Sequence, residues 1–175
     1  MHLLEARIVA CFILSLVLSI GQLPELGGKS GNSSTPKPHP LAPSLKETTE
    51  AEEDKFDRIV ERFTLYDIGQ LKGEEGKQAL KDFQNLPPEA IFALVRGMNK
   101  AAEIEHSCPA LVIARRIATQ LKSSNDKELL QYARENIGAG VTKSRHMSIL
   151  KDLKLSVTAR QSALDNRKNA NIKGP

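Results

Sequence analysis

The sequence predicts an all-α domain of five to six helices over residues 51 to 165, and three observations lead there. Apolar residues recur at the i, i+3, i+4, i+7 spacing of a helix face in one stretch after another, while strand-like alternation is rare. Between those stretches stand the punctuation residues of helices: Pro87-Pro88, Pro109, Asn125-Asp126 and Gly138. Aromatic residues are 4% of the chain and Trp is absent, so the core is expected to be built from Leu, Ile, Val, Ala and a few Phe, the filling of packed helices.

Residues 1 to 21 read as a secretory signal. Arg7 precedes an apolar run over residues 8 to 20, too short for a spanning helix of about 20 residues, and Ser19 and Gly21 are the small residues expected before a cleavage point after Gly21. A retained membrane anchor over residues 8 to 20 is the alternative. The location expected is therefore secreted, periplasmic or cell-envelope. Residues 22 to 50 are rich in Gly, Ser and Pro, then acidic, and are expected to be a disordered linker, because they bury too little apolar surface to offset the entropy of ordering. Asn32-Ser33-Ser34 fits the N-glycosylation pattern, which acts only in a eukaryotic secretory route.

Phe56, Ile59, Val60 and Phe63 form the stripe of the first helix, with acids ahead of it as the helix dipole prefers. A second, short helix carries Ala79, Leu80 and Phe83 to about Asn85, where Pro87 and Pro88 stop it and open a third with Ile91, Leu94, Val95 and Met98 on one face. The fourth, at 107 to 124, is expected to be the inner helix of the domain. Its stripe is Ala110, Ile113, Ala114, Ile117, Ala118 and Leu121, with Pro109 at its start and Lys122 at its end. Asn125-Asp126-Lys127-Glu128 resembles a capping box for a fifth helix that turns Leu129, Leu130, Ala133 and Ile137 inward and stops at Gly138. Met147, Leu150, Leu153 and Val157 predict a last helix from about Lys143, and residues 166 to 175 are expected to be a disordered basic tail.

The net charge of +4 hides an asymmetry. Residues 47 to 105 hold fourteen acids and eight bases, and residues 138 to 175 hold two acids and eight bases. Such a gradient steers partners or aligns copies. The basic end, with Lys143, Arg145, Lys151, Lys154, Arg160, Arg167 and Lys168, lacks interleaved aromatics for stacking, which together with the export signal argues against nucleic acid. Cys11 lies in the leader, so after cleavage Cys108 has no partner for an intramolecular disulfide.

Glu103, Glu105, His106 and Cys108 bring ligand and nucleophile types together, but without a second Cys or a paired His at helical spacing they make no zinc pattern. No metal, cofactor or catalytic residue is assigned. Arg115-Arg116 reads as a solvated helix face, and Gly138-Ala139-Gly140 as a helix stop, since it follows a helix and lacks the rest of a phosphate-binding fingerprint.

Residues 87 to 138 resemble the HEAT-like helical repeats. Pro-Pro-Glu-Ala-Ile-Phe-Ala-Leu-Val-Arg-Gly-Met from Pro87 would be the outer helix, and Pro-Ala-Leu-Val-Ile-Ala-Arg-Arg-Ile-Ala from Pro109 the inner one. The connection over residues 101 to 108 is longer than such repeats use. The resemblance implies a short irregular α-solenoid, with a helical bundle as the other architecture, and a protein-binding scaffold without catalysis. The partner expected is a protein, a second copy included, with its acidic surface against the basic last helix. A small exported enzyme or thiol-dependent factor using His106 and Cys108 is the alternative function.

Overall fold

In the computed structural model of the protein, residues 37 to 105, 109 to 142 and 144 to 172 are described, the last five of these for their backbone alone. The described residues are mostly helical: a two-stranded hairpin, β1 (Pro38–His39) and β2 (Ala42–Lys46), precedes α1 (Glu50–Asp67), α2 (Gly73–Gln84), a 3₁₀ turn at Pro88–Ala90, α3 (Ile91–Ala102), α4 (Pro109–Lys122), α5 (Lys127–Asn136) and α6 (Met147–Ile172). The expected secretory leader, the first part of the expected linker, Asn32, the His106 and Cys108 pair and the last three residues lie outside the described residues.

The hairpin occupies sequence expected to be linker. Its strands are antiparallel, with His39 opposite Ala42 and Pro38 opposite Lys46, and a two-stranded ribbon leaves each proline a free edge on which its missing N–H costs no ladder bond. What holds it is contact with the helices. The His39 ring stacks on Phe92 with centroids 4.2 Å apart, Ala42 is fully buried, and the Ser44 N–H donates to Asp126 Oδ2 at 2.8 Å.

A capping box the sequence reading did not single out opens α1. The Thr49 hydroxyl accepts from the Glu52 N–H at 3.3 Å, and Glu52 Oε2 accepts from the Thr49 N–H at 2.9 Å, a bond that holds the Glu52 carboxyl below the usual carboxylate range. The helix buries Phe56, Val60 and Phe63, the last stacked on Phe83 of α2 at 3.8 Å.

The most enclosed helix is α3, not α4. Eight of its twelve residues are buried, because Ile91 to Val95 are apolar all round and face α1, α4, α5 and the hairpin together. Of the expected stripe α4 buries Ala110, Ile113, Ala114, Ile117 and Leu121 between α3 and α6 and leaves Ala118 half-buried, while Arg115, Thr119 and Lys122 keep its far side in solvent. Asp126 alone caps α5, accepting from the Leu129 N–H at 3.0 Å, while Glu128 sits in the first turn and not in a reciprocal box. Gly138, at φ +74°, ends the helix as expected. α6 begins at Met147, four residues later than the spacing suggested, and runs to Ile172, past the expected end of the domain at 165. Leu150, Leu153, Val157 and Leu164 are buried along it, and no Gly or Pro interrupts it. Buried residues from Ala42 to Leu164 form one continuous cluster.

Candidate interaction surfaces

Around the expected His106/Cys108 site, the flanking residues have structural partners. His146 Nε2 lies 3.2 Å from the Ile104 carbonyl, and Arg145 Nη1 donates to the Glu105 carbonyl at 3.3 Å. Among the described residues no group of three His, Cys, Asp or Glu side chains is placed to hold a metal ion, and no helix is long and apolar enough to cross a membrane. The Arg115-Arg116 pair divides. Arg115 is solvated as expected, but Arg116 is half-buried and donates to the carbonyls of Gln84 at 3.1 Å and Leu86 at 2.6 Å, with its guanidinium 5.3 Å from the centre of the Phe83 ring. It ties off the end of α2, and burial pulls its pKa down.

The last helix presents a mixed apolar and basic face. Met147, Lys151, Lys154 and Leu155 follow at i, i+4, i+7 and i+8, so they share one side of α6. Met147, one of the residues that predicted the helix, is 43% exposed, and Leu155 is 58% exposed. Leu150, Leu153 and Val157 set the buried side, and at about 100° per residue Met147 falls to its edge. Among the described residues Lys151 and Lys154 form no ion pair, and with Ile137, Gly138, Met147 and Leu150 they line a cleft of about 340 Å³ between α6 and the end of α5.

On the other side of α3 and α4, α1 is sorted by charge across its width. At about 100° per residue, Asp54, Asp57 and Glu61 fall on one flank and Lys55, Arg58 and Arg62 on the other. The acidic flank is partly occupied: Arg96 of α3 makes a two-pronged contact with Asp57, Nε to Oδ1 at 3.1 Å and Nη2 to Oδ2 at 3.0 Å, and reaches Glu53 Oε2 at 2.8 Å. Beside this cluster Tyr132, edge-on to Phe92 at 4.8 Å, has its phenol pKa raised by burial. An Arg at the border of an otherwise apolar helix was the available signal for this tie, and its acidic partners lie 39 and 43 residues away, beyond any local pattern. No protein-family model, curated protein or solved structure matches the chain.

Proposed function

We propose that this is a non-catalytic helical domain that binds a protein partner, and that the outward face of α6 is where an acidic surface docks. The observation that carries the reading is the side-by-side exposure of Met147 and Leu155 with Lys151 and Lys154, none of whose charge is spent within the chain among the described residues. Exposed apolar side chains give a partner something to desolvate, and unpaired lysines give it direction and rate. α3 packs on α4 as consecutive helices of a HEAT-like pair do, with the roles of inner and outer helix exchanged relative to the sequence expectation, within a short helical domain that presents surfaces. The leader-like residues 1 to 21 support work outside the cytosol.

The test uses the full chain and a labelled acidic amphipathic peptide of Glu, Leu and Ala. Reversing charge in the double variant Lys151→Glu/Lys154→Glu is expected to slow association about tenfold and flatten its salt dependence, while Cys108→Ser leaves both unchanged. Association lost on Cys108→Ser and indifferent to the lysines would move the function to the His106/Cys108 segment.

A further inference from the structure

The basic flank of α1 borders a groove that the function argued from α6 does not use. Lys55, Arg58 and Arg62, at i, i+3 and i+7, stand exposed along one wall, and among the described residues none of them forms an ion pair. The floor is apolar: Ile59 is half-buried and Leu86 buried, with Pro87 continuing it where α2 turns into the 3₁₀ segment. The opposite wall carries Asn85 and Asp82, and the space between is about 430 Å³. Three like charges on one helix face repel one another, and Asp82 is the one carboxylate among the described residues lining the groove, so its lining holds three bases and one acid. The net positive lining suits an acidic occupant.

We propose that this groove is a second docking site, taking an acidic segment of a partner protein whose carboxylates meet Lys55, Arg58 and Arg62 while an apolar side chain between them settles on Ile59 and Leu86. The wall composition favours a peptide over a nucleic acid. Asn85 offers a donor and an acceptor suited to peptide groups, and Asp82, which already accepts from Gln78 Nε2 at 2.6 Å, leaves the acidic residues of the segment to the α1 wall. Among the described residues lining the groove no exposed aromatic ring is present to stack a base, Phe56 being buried beneath the floor. Because α1 packs on α2 and α3 while α6 packs on α4 and α5, the two sites share no residue, and one molecule bridges two acidic segments.

Isothermal titration of the full chain with the Glu/Leu/Ala peptide separates this site from the one on α6. Two peptides bind the native chain, Arg58→Glu/Arg62→Glu leaves one, Lys151→Glu/Lys154→Glu leaves one, and the combined variant binds none. Replacing Leu by Ser in the peptide weakens both sites by about tenfold or more, since the apolar floors lose their contact. All four arginines and lysines are exposed, so the variants keep the fold, which circular dichroism checks. The proposal is overturned if Arg58→Glu/Arg62→Glu leaves the stoichiometry of the native chain unchanged. It is equally overturned if reversal of Lys72 and Lys81, exposed on and beside α2, weakens binding as much, or if an oligothymidylate of the same length displaces the peptide from the α1 groove at lower concentration.

Discussion

Asp126 is the residue on which two distant parts of the chain depend. One carboxylate oxygen accepts from the Leu129 N–H and caps α5, and the other accepts from the Ser44 N–H and fastens the hairpin. Burial works to raise its pKa, but the hydrogen bonds from Ser44 and Leu129 outweigh it and hold the carboxyl below its ordinary range. A depressed carboxylate contributes stability that is fully present above its unfolded pKa of about 3.9 and is lost as the pH falls through the folded value. Asp126→Ala is expected to cost about 1–2 kcal/mol, roughly 1 for the cap and the rest for the lost hydrogen bond from the Ser44 amide, which water can reach. Asp126→Asn keeps one acceptor, and its stability should be less steep in pH below about 4 than that of the native chain. Urea midpoints taken from pH 3 to 7 check both; an alanine variant within about 0.5 kcal/mol of the native chain would show that neither bond matters. The sequence made half of this legible. Asp before a run with Leu129, Leu130 and Ala133 announces a cap, but nothing near Asp126 announces Ser44, 82 residues away.

At the scale of elements, the legible features were those set by local rules. The prolines before α3, the cap of α5 and the positive-φ glycine after it act within a turn of where they stand, so reading them needs no partner. What stayed hidden depended on neighbours: that α3 and not α4 is enclosed, that Arg116 reaches the carbonyls of another helix, and that prolines 38, 40 and 43 belong to a hairpin held by Phe92 and Asp126. Gly97 is of the same kind. In sequence it is a weak spot inside a helix, where Ala would be better by about 1 kcal/mol. In the fold a Cβ there would lie 2.3 Å from Val60 Cγ1, so its bareness lets α1 and α3 meet. Val60 is buried and stiff at χ1, leaving no cheap way to yield. Overpacking at about 1–3 kcal/mol is expected to outweigh the propensity gain, making Gly97→Ala destabilising on balance by up to about 2 kcal/mol. Val60→Ala should restore part of that loss in the double variant. A urea double-mutant cycle checks the coupling, and a Gly97→Ala chain more stable than the native one would contradict the close approach.

For the molecule as a whole, the continuity of the buried cluster from Ala42 to Leu164 matters more than any one contact. The hairpin adds Ala42 to the same core that α6 closes with Leu150, Leu153 and Val157, so the two ends of the described chain have no core of their own and should unfold together. The two proposed docking faces then sit on one cooperative body. Ile117 lies near the middle, fully buried, on the side of α4 opposite exposed Arg115. An unpaired charge there costs several kcal/mol against a total stability of about 5–15, whereas Arg115→Ala removes only solvated charge and should cost under about 1. Ile117→Asp is therefore expected to release the hairpin and α6 alike, seen as hydrogen exchange without protection in peptides from both, while Arg115→Ala keeps both protected. A hairpin that stays protected in Ile117→Asp while the helices exchange would make it a separate unit. Equal urea midpoints for the two variants would show that α4 is turned the other way, and the assignment of its inner and outer faces would fall with it.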